Sequence, residues 1–274
     1  MDSRNKKRRN KLNKIKTTFL HFKKIIKGLF WFFKRPRLIP QIYYIFKNEY
    51  FPSKKELTKK EAIEICDKKS VFLKKAYEQL NIKEINFNKK FSKLLKESRQ
   101  IEKNCPVKMG GEGYIDLIYN LCEKFKVKKT LETGVAYGWS SLAILLSINS
   151  RNKSNLISID MPYLFRNNDS YVGCVIPKFF KKKWSLIRLP DRQALKKSIR
   201  QLNTSIDLCH YDSDKSYKGR MWAYPIIWKN LKNKGLLISD DISDNIAFIE
   251  FCNKIKKEPI IIKKNKKYVG IIIK

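Results

Sequence analysis

The chain has 274 residues, 43% of them hydrophobic and 31% charged, with a formal net charge of +36. That hydrophobic share excludes an intrinsically disordered chain, and the length suffices for one α/β domain with an extension. Six cysteines, Cys66, Cys105, Cys122, Cys174, Cys209 and Cys252, contain no C-x-x-C pair and have only His21 and His210 beside them. This speaks against a disulfide framework or a zinc site and fits a reducing cytoplasm. Lysine carries most of the charge and is spread over every segment among abundant Asn and Ile, the bias of an AT-rich genome. No nucleic-acid motif or Arg-rich groove segment accompanies it, so nucleic acid is not the expected partner.

Residues 1–50 read as a basic arm, Met1 to Lys16, followed by the apolar and basic segment TTFLHFKKIIKGLFWFFK from Thr17 to Lys34. Lys23, Lys24 and Lys27 interrupt that segment, which falls short of the roughly 20 apolar residues needed to cross a bilayer. No small-residue cleavage site follows it, as a secretory signal would require. Wound as a helix, it gathers Phe22, Ile26, Leu29, Phe30 and Phe33 on one side, with Lys23, Lys27 and Lys34 on the other. The pattern suits an anionic membrane surface, where each basic residue of the arm adds about 1 kcal/mol. The expected location is the cytoplasm, peripheral on the inner membrane face. The alternative is that the Phe-rich side packs on the body of the protein or on another subunit. Pro36 and Pro40 end the helix.

Residues 51–108 read as a helical cap. From Glu56 to Leu80, the positions Leu57, Ala62, Ile65, Phe72, Leu73 and Ala76 recur at near-helical spacing, and Asn88 to Lys103 forms a second helix. Gly110, Gly111 and Gly113 mark the passage into residues 109–274, which begin with a helix from Tyr114 to Lys124.

The most telling stretch is LETGVAYGWSS, Leu131 to Ser141, where a strand turns into a helix. Gly134 and Gly138 permit positive φ and a close backbone approach, while helix N–H groups and the hydroxyls of Ser140 and Ser141 offer donors to a small charged ligand. A second apolar strand, Leu156 to Ile159, ends in Asp160, one β-α-β unit beyond Glu132, where a carboxylate can bind ribose hydroxyls. A strand from Ser185 to Leu189 leads to Asp191, placed either to contact an adenine amino group or to cap the helix Arg192 to Leu202. The apolar run Ile206 to Cys209 opens into HYDSDKSY and Gly235 to Ser239 into DDISDN, while PIIIKK from Pro259 and YVGIIIK from Tyr268 form a closing hairpin. All the strand ends are polar on the side where open α/β sheets bind ligands.

From Met109 onward these residues resemble a class I S-adenosylmethionine-dependent methyltransferase, of the bacterial branch whose first motif reads close to E-T-G-V-x-x-G-x-S-S. SIDMP from Ser158, VIPKFFKKKW from Val175, HYDSDKSY from His210 and GLLISDDISDNIAF from Gly235 agree with it in order and spacing. The resemblance implies an α/β fold: a Rossmann-like, seven-stranded, mostly parallel sheet with helices on both faces and an antiparallel last strand, here preceded by an N-terminal helical extension. It also implies S-adenosylmethionine as cofactor, held by Glu132, Gly134, Ala136, Tyr137, Gly138, Ser140, Asp160 and Asp191, with Trp139 beside them.

The chemistry is expected at the ends of the later strands. Asp212, Asp240 and Asp241 are three carboxylates that can converge on a hard divalent cation such as Mg²⁺, which would promote loss of a proton from an acceptor hydroxyl. Similar metal-dependent O-methyltransferases carry ligands at the corresponding positions. The competing role for Asp240 and Asp241 is capping the helix near Asn245. Lys215 stands where this branch often carries a histidine, in H-D-S-x-H-T-Y, leaving it as a base of lowered pKa, an anchor for an anionic substrate, or a solvated residue. His210 is an alternative base or a hydrogen-bonding residue at the strand end. The leading function is O-methylation of a sugar, a lipid-linked glycan or a small hydroxylated metabolite. An RNA or protein methyltransferase and a noncatalytic scaffold are the alternatives.

Overall fold

A computed structural model of the protein describes residues 26–164 and 168–274. The basic arm from Met1 to Lys16, with Phe22, Lys23 and Lys24, lies outside the described residues. Helix α1 runs through residues 26–33, followed by α2 (Ile39–Tyr50), α3 (Lys59–Lys69), strand β1 (Ser70–Val71), α4 (Leu73–Gln79), α5 (Phe87–Lys90) and α6 (Ser92–Lys103). Alternation then sets in: α7 (Ile115–Lys124), β2 (Lys129–Thr133), α8 (Trp139–Ile148), β3 (Asn155–Ile159), β4 (Trp184–Ile187), α9 (Asp191–Gln201) and β5 (Ile206–Tyr211). The chain continues through α10 (Tyr217–Asn230), β6 (Leu231–Ser239), α11 (Ala247–Lys254), β7 (Ile260–Lys264) and β8 (Lys267–Ile273).

The strands form one sheet in the order β1-β7-β8-β6-β5-β2-β3-β4. Pairing is parallel except where β8 inserts between β6 and β7, antiparallel to both. The predicted seven-stranded sheet with an antiparallel last strand is present, and β1 adds an eighth, two-residue edge strand. This β1 divides what the sequence suggested was one helix from Glu56 to Leu80. Ser70 leaves α3 in an extended conformation, φ −74 and ψ 147, and pairs with Ile261 on the otherwise open edge of β7. A ladder along that edge outcompetes continued helical periodicity.

Period-two alternation sends the strand residues to opposite faces. Leu208, Leu236 and Ile238 meet α7 and α8 on one face, where Leu117, Leu121 and Leu145 are fully buried. Cys209, Tyr211 and Leu237 meet α9, α10 and α11 on the other. Each such buried aliphatic side chain contributes about 1.5–3 kcal/mol. Helices on both faces leave the carboxyl ends of the strands as the open rim.

Candidate active site

The strand order reverses at β2, whose neighbours β3 and β5 lead away on opposite sides, and a cleft of about 1190 Å³ opens at this point above the strand ends. Such a switch point is where open α/β sheets take ligands, and the volume exceeds the roughly 300–1,000 Å³ of a single small-ligand site. Its walls include the loop Met109–Tyr114, residues 134–136, the first turn of α8, Asp160 to Leu164, the ends of β5 and β6, and Gln41 and Ile45 of α2. A Cβ at Gly111 or Gly113 would meet nothing within 4 Å, so this loop leaves the cleft open.

Beneath the cleft lies a row of polar side chains fixed by strand register. Glu132 of β2 stands level with Ser158 of β3 and His210 of β5, so all three share one face. Glu132 is fully buried and accepts hydrogen bonds from Ser158 Oγ at 2.6 Å and from Ser141 Oγ. His210 lies between two carboxylates, with Nδ1 3.7 Å from Glu132 Oε1 and Nε2 3.6 Å from Asp240 Oδ2. Burial alone favours the neutral ring, but Asp240 and Glu132 outweigh it and push the imidazole up to about 10. The two carboxylates thus favour the charged ring, the form that cannot accept a proton as a general base.

At the rim, Lys215 reaches both flanking acids: Nζ forms an ion pair with Asp212 Oδ1 at 3.1 Å and donates a hydrogen bond to Asp241 Oδ2. Burial opposes the ammonium, yet Asp212 and Asp241 hold it charged and push its pKa up, the opposite of what a lysine base requires. Burial also works against the Asp241 carboxylate, but Lys215, with Lys267 and Arg220, keeps it below the usual range. Burial and Asp240 together push Asp212 up to about 6, against the pull of Lys215 and His210. A third of the Asp212 side chain remains exposed to the cleft. The fully buried Arg220 donates to the carbonyls of Asp240 (3.0 Å) and Asp241 (2.8 Å), and Asp241 takes a left-handed φ of 50.

Asp212, Asp240 and Asp241, the expected metal ligands, do gather at one rim, with the Lys215 ammonium between Asp212 and Asp241 and with Asp240 turned toward the His210 ring. Among the described residues no three His, Cys, Asp or Glu side chains are arranged to hold a metal ion. Lys215 is thus the side-chain cation paired with both Asp212 and Asp241.

Of the expected cofactor residues, Gly134, Ala136, Ser140, Asp160 and Asp191 line the cleft. Asp160 accepts the N–H groups of Val135 (2.7 Å) and Ala136 (3.2 Å) and pairs with Arg188, a partner the sequence reading missed because it lies one strand away. Asp191, pushed up to about 6 mainly by burial, accepts from Ser213 Oγ and occupies the first turn of α9. Glu132, Tyr137 and Gly138 lie behind the wall and do not line it. Tyr137 is buried and donates to the Val107 carbonyl at 2.8 Å, while Gly138 caps α8 with φ 96, packed against Gly173 and Ile176. Trp139 does line the cleft, and its indole N–H donates to Glu102 of α6 at 2.7 Å.

Gly134 has φ 81, and a Cβ there would fall 2.3 Å from the Asp212 carbonyl oxygen. The glycine thus lets the ends of β2 and β5 close on each other and sets the position of Asp212. Gly134→Ala is expected to lower stability by about 3 kcal/mol, combining left-handed strain with backbone overlap. Urea denaturation of the variant, with an unchanged midpoint as the adverse result, checks this.

Residues 131–242 match a protein family described as a methyltransferase domain. No curated protein is significantly similar to the chain in sequence. Among solved structures, a methyltransferase of Podospora anserina bound to SAH superposes with a TM-score of 0.52 at 15% identity, covering 82% of this chain and 98% of that one. An O-methyltransferase of Bacillus cereus in complex with SAH gives 0.51 at 11% identity, covering 69% and 93%. The O-methyltransferase TomG of Streptomyces achromogenes in complex with SAM gives 0.51 at 12%, covering 72% and 94%. The segment 131–242 is thus similar to methyltransferase domains, and the sheet that carries it has the Rossmann-like fold of these solved methyltransferases.

Proposed function

We propose that the protein is an S-adenosylmethionine-dependent O-methyltransferase whose acceptor is a hydroxyl of a sugar, a lipid-linked glycan or a small hydroxylated metabolite. The observation that carries this reading is Asp212: a carboxylate pushed up to about 6, part exposed at the floor of a cleft large enough for two ligands. Residues 134–136, Ser140, Asp160 and Asp191 would hold the cofactor, with free N–H groups at the first turn of α8 toward its anionic end. When bound, S-adenosylmethionine supplies an activated methyl group with a good leaving group already in place.

The remaining work belongs to the chain. Asp212 takes the proton of the acceptor hydroxyl, a role suited to a group titrating near neutrality. Lys215 keeps its proton and holds Asp212 and Asp241 in place, and its charge favours the developing alkoxide. Walls from Trp139, Met161, Pro162 and Tyr163 screen the site from water, and alignment of the two reactants supplies several kcal/mol. No step runs through a metal.

Calorimetric titration of S-adenosylmethionine into the full chain tests the reading. Micromolar binding is expected in wild type, with loss in Ser140→Arg, where a long side chain would fill the cleft from the first turn of α8. No binding by folded wild-type protein would sink it. Mg²⁺ titrated under the same conditions is expected to give no saturable heat, and S-adenosylmethionine binding is expected to be unchanged by EDTA. Stoichiometric Mg²⁺ binding that disappears in Asp241→Asn would restore the metal site.

A further inference from the structure

Two adjacent helices turn apolar faces to solvent. On α1, Ile26, Leu29, Phe30 and Phe33 fall within about 100° of one another on a helical wheel, and all four are exposed, Phe33 by 79%. Trp31 and Phe32 point the other way and are buried with Leu38 against Ile42, Ile45, Leu164 and Leu189. The expected Phe-rich stripe therefore does not pack on the body; its two neighbours do. Helix α2 repeats the pattern: Ile39, Tyr43 and Phe46, spaced i, i+4 and i+7, are exposed, whereas Gln41 and Ile45, on the opposite side of the wheel, line the cleft.

Among the described residues, most of the large exposed apolar side chains fall between Ile26 and Phe51. An apolar patch of this kind marks an interaction site. Its charge decides the partner. Lys27, Lys34, Arg37 and Lys47 border the patch, with Lys34 over the Phe30 ring at 4.6 Å and Lys47 donating to the Tyr43 hydroxyl at 3.1 Å. A second copy meeting the patch about a two-fold axis would bring these like charges together. An anionic lipid surface matches both components, receiving the apolar face at the acyl boundary and the basic rim at the head groups. Among the described residues no helix is long and apolar enough to cross a membrane, so the contact is with the surface.

We propose that the exposed faces of α1 and α2 dock the protein on an anionic phospholipid bilayer, with the cleft wall at Gln41 and Ile45 lying directly behind the docking face. This holds whether or not the methyl-transfer reading does. Flotation of the full chain with phosphatidylcholine vesicles, with and without phosphatidylglycerol, tests it against Phe30→Ser/Phe33→Ser and Tyr43→Ser/Phe46→Ser. Binding is expected only with phosphatidylglycerol and is expected to fall by more than about tenfold in each double variant. Raising the salt is expected to weaken it further. Undiminished binding in both variants would assign the lipid contact to the basic arm and overturn the proposal. So would absence of vesicle binding, or a concentration-dependent dimer that the same variants dissolve. S-adenosylmethionine titrations of the variants separate the two readings, since the exposed faces lie outside the cofactor pocket and the binding heat should be retained.

Discussion

Replacing His210 by leucine is expected to lower stability by about 3 kcal/mol, because it strands the fully buried carboxylate of Glu132 and the part-buried one of Asp240 without the charged ring they share. For a domain whose whole stability is about 5–15 kcal/mol, that is a large share. If the variant is too unstable to purify, Glu132→Gln/His210→Leu carries the test. Removing one orphaned charge is expected to recover more than about 1 kcal/mol relative to the sum of the single changes. The pH dependence has a definite sign. The imidazole is raised from 6.5 to about 10 on folding, so its stabilisation is fully present below 6.5 and is lost as the pH climbs toward 10. Denaturant midpoints of wild type and His210→Gln should therefore converge as the pH rises from 7 to 10. Parallel curves would show that the ring is neutral in the native state.

Asp212→Asn is expected to lower kcat by about 10²–10⁴-fold while leaving S-adenosylmethionine affinity nearly unchanged, since it removes a proton acceptor and keeps the shape of the cleft. The wild-type rate on the first hydroxylated acceptor that turns over should rise with pH through about 6, as Asp212 loses its proton. That limb should vanish in Asp212→Asn. A limb lying far above neutrality, sensitive to Lys215→Met and indifferent to Asp212, would transfer the role to the lysine. Equal activity of Asp212→Asn and wild type would remove the carboxylate from the reaction.

Much of this site is legible in the sequence. Gly134 and Gly138 announced a turn needing positive φ, and both have it. Asp160, Asp212, Asp240 and Asp241 were readable as strand-end acids because apolar runs of strand length stop directly before or beside them. What could not be read was lateral. Glu132 follows the same logic as Asp160, yet register sets it beside Ser158 and His210 under the sheet's helical cover, where it meets protein and not the cleft. The acids at 212, 240 and 241 suggested a cation; that Lys215 stands between two of them depends on the path of the loop after β5. On α1, periodicity identified the apolar stripe correctly, but only the pairing of Trp31 and Phe32 with Leu38 shows which side faces the body. The short β1 was invisible because its formation depends on an edge supplied by residues far along the chain.

That edge pairing bears on how the chain acquires its structure. Ser70 joins Ile261, about 190 residues later, and β7 reaches the rest of the sheet only through β8. Contacts of such long separation close late and slow folding. The segment around β1 must wait for both members of the hairpin, so the edge of β7 at Ile261 and Ile262 is the last of the sheet to be covered. Partners that recognise bare strands would act on the protein in that interval, and substitutions in the hairpin would be felt first as aggregation during synthesis, before any change in the mature site.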